Sequence, residues 1–224
     1  DNRRDFGVGQ SPRGITAADL NGDGLMDIAA ANYEGASFSV LYNNGESGSR
    51  TFDSRPLFAL EVAGEIPYAV ASADMDGDGR VDLLSANNYT NNFTVLRGTG
   101  SLMSGGFLSG TQHPTAPNSR PYAMGVGDLD NDGRKDVVIA NEPLNSVSVF
   151  RNVTIQPGVP QFAQRIDLAV SAGPSVLILE DLNNDGKLDI ASVGQNSSGT
   201  VSVLANTFSS PGELSFASAA NYDA

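Results

Sequence analysis

The chain has 224 residues, 40% of them hydrophobic, no cysteine and a formal net charge of −13. That composition excludes disulfides, thiolate metal sites and a cysteine nucleophile, and the acidity argues against nucleic acid or an anionic membrane surface as partner. No apolar run approaches the roughly 18 to 20 residues of a membrane span, so direct membrane insertion is not expected.

The start at Asp1, with no visible signal peptide, reads as a processed or trimmed chain. Asp1 to Gly9 contains Asp5-Phe-Gly-Val, which aligns with Asp167-Leu-Ala-Val as a strand leading to a proline. A repeating unit then begins. Pro12, Pro67, Pro121 and Pro174 each stand seven residues before an aspartate, separated from it by a short apolar stretch such as Tyr68-Ala-Val-Ala-Ser-Ala73. An Asp-rich nonapeptide follows at 19, 74, 128 and 181, so at spacings of 55, 54 and 53 residues.

A second apolar run comes next: Ile28–Ala31, Leu83–Ala86, Val137–Ala140 and Ile190–Val193. Polar turns opened by Asn32, Asn87 and Asn141 lead to a third, alternating run, and a fourth segment carries Phe52, Phe107, Phe162 or Phe216. β-Branched runs punctuated by Gly, Asn and Pro, with no 3.6-residue period, are strand signals. Four strands per unit of roughly 50 residues predict an all-β fold, a β-propeller of four-stranded antiparallel blades. The repeats fall at about 10–62, 63–116, 117–170 and 171–224 of a single propeller segment. The ends supply five candidates for the fourth strand but four sets of the first three, which reads as an excerpt of a longer propeller. The alternatives are a closed four-bladed ring, or self-association with a second copy to complete the circle.

The nonapeptides suit a hard cation. Their oxygen-bearing positions 1, 3, 5 and 9 are Asp19, Asn21, Asp23 and Asp27; Asp74, Asp76, Asp78 and Asp82; Asp128, Asp130, Asp132 and Asp136; Asp181, Asn183, Asp185 and Asp189. Position 7 offers a backbone carbonyl from Leu25, Arg80, Arg134 or Lys187, whose side chains are free to stay in solvent. Position 6 is always glycine and position 4 is Gly or Asn, the residues that tolerate positive φ. All-oxygen, carboxylate-rich ligation favours Ca2+ over softer metals and over Mg2+, one ion in each of the four repeats. An EF-hand is excluded, because its bidentate Glu at position 12 is replaced by Ala30, Ser85, Ile139 and Ser192. The loops hold 14 of the 26 acidic residues, and four divalent cations would take −13 to −5. Loops two and three, with four aspartates each, are expected to bind most tightly. The role read for the metal is structural.

The proline, the Asp-x-[Asp/Asn]-x-Asp-Gly-x-x-Asp loop and the strand that follows it resemble the FG-GAP/VCBS repeats of integrin α-subunit heads and many secreted bacterial proteins. The resemblance covers nearly the whole chain and implies calcium-binding blades, about seven to a propeller, acting in secreted or cell-surface proteins.

Alternating turns place the loops on one face, and the proline turns and second-strand turns on the other. That second face collects Arg13, Tyr33, Tyr68, Tyr89 and Tyr122, flat rings with hydrogen-bonding edges that suit a glycan or an extracellular protein. The function expected is a calcium-stabilised binding or adhesion module. The alternatives are the propeller of a secreted, lyase-like polysaccharide-active enzyme, or a scaffold. His113, the single histidine, reads as a surface residue of a long loop from Gly98 to Ser119, and no catalytic residue is assigned. The sequons at Asn88, Asn92, Asn152 and Asn196 matter only in a secretory eukaryotic host.

Overall fold

The computed structural model describes residues 5–45, 52–54, 65–100, 106–171, 173–195 and 199–223. They form four four-stranded antiparallel sheets, each with its strands in chain order. The first blade holds β1 (Pro12–Ala18), β2 (Asp27–Asn32), β3 (Ser37–Asn43) and β4 (Phe52–Ser54). The second holds β5 (Pro67–Ala73), β6 (Asp82–Asn87), β7 (Asn92–Leu96) and β8 (Thr111–Pro114). The third holds β9 (Pro121–Gly127), β10 (Asp136–Asn141), β11 (Ser146–Phe150) and β12 (Ile166–Ala169). The fourth holds β13 (Pro174–Glu180), β14 (Asp189–Gly194), β15 (Val201–Leu204) and β16 (Ala220–Tyr222). This is the propeller-blade architecture.

The first strands β1, β5, β9 and β13 pack on one another in that order and line the inside of an arc. Close approach there needs small residues. A Cβ on Gly125 of β9 would come within 2.7 Å of Leu177 Cδ1 on β13. Alternation along each strand gives every blade two faces, and three apolar clusters fill the joints between blades. Phe38, Val40 and Tyr42 meet Leu83 and Leu96 at the first joint. Phe93 and Val95 meet Ile139 and Phe150 at the second, and Val147 and Val149 meet Leu177 and Ile190 at the third. The corresponding face of the fourth blade carries Val176, Ile178 and Val193, which are 55%, 55% and 41% exposed.

Three sequence expectations need correction. Asp5 to Gly9 lies in no sheet. The outer edge of β3 is taken by β4; Phe6 packs edge-on against Phe52 at 5.5 Å, and the Gly9 amide donates to Ser39 Oγ at 3.0 Å. The fourth strand includes the phenylalanine only in the first blade. Phe107, Phe162 and Phe216 instead make isolated bridges to Gly98, Asn152 and Asn206, and the strand proper follows several residues later. His113 is no surface-loop residue. It sits in β8 opposite Phe93, its ring stacked on Phe93 at 4.9 Å and edge-on to Phe162 at 4.8 Å.

Candidate functional site

Each nonapeptide connects the first and second strands, with its position-9 aspartate as the first residue of the second strand. Positions 4 and 6 all have positive φ. Position 4 is Gly22 at 79°, Gly77 at 76°, Asn131 at 53° and Asn184 at 62°; position 6 is Gly24 at 86°, Gly79 at 81°, Gly133 at 89° and Gly186 at 81°. Nothing lies within 4 Å of a Cβ built on Gly24, Gly79, Gly133 or Gly186, so the demand for glycine is conformational and not steric.

The winding turns backbone N–H groups inward onto the carboxylates. Position 1 accepts from the position-6 amide, as in Gly24 N to Asp19 Oδ2 at 2.8 Å and Gly133 N to Asp128 Oδ2 at 2.9 Å. Position 5 accepts from the position-7 amide in every loop: Leu25 to Asp23 and Arg80 to Asp78, Arg134 to Asp132 and Lys187 to Asp185, at 2.8 to 3.0 Å. At position 3, Asn21, Asp76, Asp130 and Asn183 accept from the position-5 amide.

Position 9 is built differently. Asp27, Asp82, Asp136 and Asp189 are at most 1% exposed. One oxygen of each accepts from the position-2 amide, that of Leu20, Met75, Leu129 or Leu182. The other accepts from a backbone amide at the end of the third strand or two residues beyond it, that of Asn43, Gly98, Asn152 or Asn206, each at 2.8 Å. The residue is thus a latch between the loop and the third strand. Burial pushes the Asp136 carboxyl up to about 7 and that of Asp82 up to about 6, against the lowering effect of these amides.

Loops two and three gather carboxylates most closely. One oxygen each from Asp74, Asp76 and Asp78, and one each from Asp128, Asp130 and Asp136, lie within 4.8 Å of one another. Asp130 Oδ2 is buried without a hydrogen-bond partner, and its ion-pair partner, Arg151 Nη1, stands 3.8 Å away. An orphaned carboxylate oxygen inside an all-oxygen donor set fits a hard cation. Asn at position 3 removes one carboxylate from loops one and four. Of the position-7 side chains, Arg80 stays largely in solvent at 54% exposure, Arg134 bends back onto Asp132, and Lys187 donates to the Phe208 carbonyl at 2.9 Å with Asp185 at 4.0 Å. Arg97 and Arg151 from outside the loops also reach Asp76 and Asp130.

At the opposite end of each sheet, Pro12, Pro67 and Pro121 pair with Asn32, Asn87 and Asn141, and Pro174 with Gly194. The register then skips one residue in every blade. The skipped residues are Arg13, Tyr68, Tyr122 and Ser175. A bulge of this kind re-aims the extra side chain, and here it turns three of them into one surface. Tyr68 and Tyr122 have ring centroids 4.2 Å apart, and Tyr33 stands edge-on to Tyr68 at 5.6 Å. The Tyr33 hydroxyl donates to that of Tyr89 at 3.2 Å. The Arg13 guanidinium lies 5.4 Å from the Tyr33 ring centroid and 5.6 Å from that of Tyr68. All five residues expected on this face therefore form one continuous rim across three blades. The asparagines that open the second-strand turns do not join it: Asn32, Asn87 and Asn141 are fully buried, bonded to Ser or Thr hydroxyls of the third strand. In the fourth blade Ser175 and Gln195 leave the rim without aromatic surface, and Asn196 lies outside the described residues. Burial, followed by the contact with Tyr122, pushes the Tyr68 hydroxyl up to about 12; the bond to Tyr89 is the main cause of the rise at Tyr33.

His113 is the residue that the sequence reading misplaced. It borders a cavity of about 680 Å³ between the outer strands of blades two and three, with Phe150, Phe162, Gln164, Arg165 and Asp167. The cavity is away from the tyrosine rim. Within it Arg165 pairs with Asp167 at 3.1 Å, and the histidine is spent on aromatic packing. The run Thr111-Gln-His-Pro114 carries no apolar alternation that would mark it as a strand, so the placement of His113 rests on its pairing with Phe93.

Four-stranded blades, each with an aspartate loop in its first hairpin, define a β-propeller built from acidic-loop repeats. The chain belongs to the FG-GAP-like repeat family, whose model matches residues 19–85, 74–139 and 128–192. Each match runs from the first aspartate of one loop into the second strand of the next blade. No curated protein sequence gives a significant match. Among solved structures, the chain is similar to BBS1N in complex with ARL6DN, with a TM-score of 0.56 and 14% identity over 96% of this chain and 57% of that one. It is similar to virginiamycin B lyase from Staphylococcus aureus, with a TM-score of 0.52 and 13% identity over 93% of this chain and 56% of that one. A Bacteroides uniformis protein assigned as a 6-phosphogluconolactonase gives a TM-score of 0.58 and 14% identity over 90% of this chain and 54% of that one. At such identities the likeness is one of fold. The chain spans a little over half the length of these structures. Among the described residues no helix is long and apolar enough to cross a membrane.

Proposed function

We propose that the chain is a calcium-stabilised binding module that works outside the cytosol and recognises a glycan or a protein through its tyrosine rim. The observation that carries this reading is the convergence of Arg13, Tyr33, Tyr68, Tyr89 and Tyr122 at the end of the blades away from the aspartate loops. Three of these blades spend a β-bulge or a turn on placing them.

Calcium, one ion per loop, belongs to the frame. Positions 1, 3, 5 and 9 and the position-7 carbonyl would hold it. The support is the oxygen donor set, the positive-φ winding and the unpartnered Asp130 oxygen, together with membership of a repeat family that is generally calcium-binding and typically extracellular. Millimolar extracellular calcium fills sites of modest affinity. An enzymatic role has less behind it, because a Tyr68 hydroxyl held near 12 is a poor general base at neutral pH.

A glycan array probed with and without calcium tests the reading. The expected result is calcium-dependent binding that is lost in Tyr68→Ala while the variant's melting temperature stays within a few degrees of wild type. Binding that survives Tyr68→Ala and Tyr122→Ala together would move the site off the rim.

A further inference from the structure

The arginines divide by place, while of the two described lysines Lys187 is paired and Lys135, exposed in the third aspartate loop, is not. Arg80, Arg97, Arg134, Arg151, Arg165 and Lys187 each stand within ion-pair reach of a carboxylate. Among the described residues, Arg13 and Arg120 are the arginines that do not, and both are exposed. In a chain of net charge −13 a carboxylate is easy to find, so two unpaired arginines are informative.

Both belong to the rim. Arg13 lies over two tyrosine rings, and the charges of Arg13 and Arg120 both act on the Tyr33 hydroxyl. Arg120 is also a built position. Its φ is 44°, a left-handed conformation that an arginine adopts only at a cost of about 1 kcal/mol. It is held there by Asn91 Oδ1, which accepts from its amide at 3.0 Å, and by Asn88 Nδ2, which donates to its carbonyl at 3.3 Å. The preceding blade thus fixes the backbone and leaves the guanidinium free.

A guanidinium fork matches planar or tetrahedral oxyanions and pairs with them through two parallel hydrogen bonds. Tyrosine faces suit sugar rings, and their hydroxyls suit sugar hydroxyls. A bare phosphate would leave that aromatic surface unused; Tyr89 alone is 61% exposed. We propose that the rim takes an anionic sugar chain, with the tyrosines stacking on its rings and Arg13 and Arg120 gripping its carboxylate or sulfate groups. This rests on the rim being the binding face, as put forward above.

Tyrosine fluorescence reads the site directly, since the chain has no tryptophan and four of its six tyrosines are on the rim. The calcium-loaded chain is titrated with trigalacturonate, a sulfated chondroitin oligosaccharide, a neutral xylo-oligosaccharide and a Glu-rich peptide. The expected result is binding of at least one acidic sugar, tenfold or more above the neutral one, weakening with added salt. Whether the carboxylated or the sulfated probe binds identifies the acid group. Arg13→Gln and Arg120→Gln each weaken binding about tenfold or more, because charged hydrogen bonds are lost, while Lys135→Gln leaves it unchanged. Neutral sugar bound as tightly, insensitive to Arg13→Gln and lost in Tyr68→Ala, would overturn the anionic assignment yet keep the rim as the binding face. Arginine-dependent binding of the peptide alone would replace the sugar by a protein. Binding of none of the four probes would overturn both readings.

Discussion

His113 shows how one misplaced residue alters an expectation about pH. Its ring lies between Phe93 and Phe162, its Nε2 is buried without a partner, and burial pushes its pKa from 6.5 down to about 4. The folded state therefore resists a proton that the unfolded chain accepts. Its contribution to stability is fully present above about 6.5 and is lost as the pH falls from there toward about 4. His113→Phe keeps the stacking and removes the titration. Wild type is expected to lose stability relative to this variant between pH 6.5 and pH 4, measured by urea denaturation in calcium. Parallel curves for the two proteins over that range would contradict the packing role. Burial also pushes the Asp82 and Asp136 carboxyls up to about 6 and about 7, and comparing the two proteins cancels their contribution.

The blade joints show what position 2 of each loop does. Leu20, Met75 and Leu129 are at most 2% exposed and sit in the clusters between one blade and the next, whereas Leu182, in the last loop, is 44% exposed. The aspartate loop is thus fastened to the following blade. At the later two joints Asn152 and Asn206 add hydrogen bonds of 2.8 and 2.7 Å to the carbonyls of Met75 and Leu129. Leu129→Ala is expected to cost about 2 to 5 kcal/mol, and Leu182→Ala within about 0.5 kcal/mol of nothing, as for an ordinary surface change. Urea midpoints decide it; equal losses would mean that the joint does not depend on the loop. The sequence carried these elements unevenly. The first three strands of each blade were legible because prolines, glycines and apolar runs mark them locally. The fourth strands of the last three blades are three or four residues long and half or more of their residues are exposed, so no apolar alternation marks them, and there the conspicuous phenylalanine pulled the assignment several residues too early. Asn32, Asn87 and Asn141 read as turn residues; their burial against the third-strand Ser and Thr hydroxyls depends on strand register, which the sequence does not mark. The rim residues were legible by position. That they touch was not, because their contacts run between blades and depend on a bulge in each.

At the scale of the whole molecule, like charge is concentrated at one end and aromatic surface at the other. The aspartate loops sit at the hinge of each first hairpin, and their position-9 residues tie that hinge to the third strand. The face of the fourth blade that carries Val176, Ile178 and Val193 is the one that the next blade covers at each inner joint. Metal at the loops is expected to stabilise the entire arc, since every loop touches its own blade and three of them also touch the next. The central claim is that the aspartate loops are a calcium frame for the rim. The measurement that tests it most directly is the melting temperature in millimolar calcium and in excess EDTA. A site filled at a thousandfold excess over its Kd adds about 4 kcal/mol, so chelation is expected to lower the melting temperature by on the order of 10 °C. An unchanged melting temperature in EDTA would contradict it.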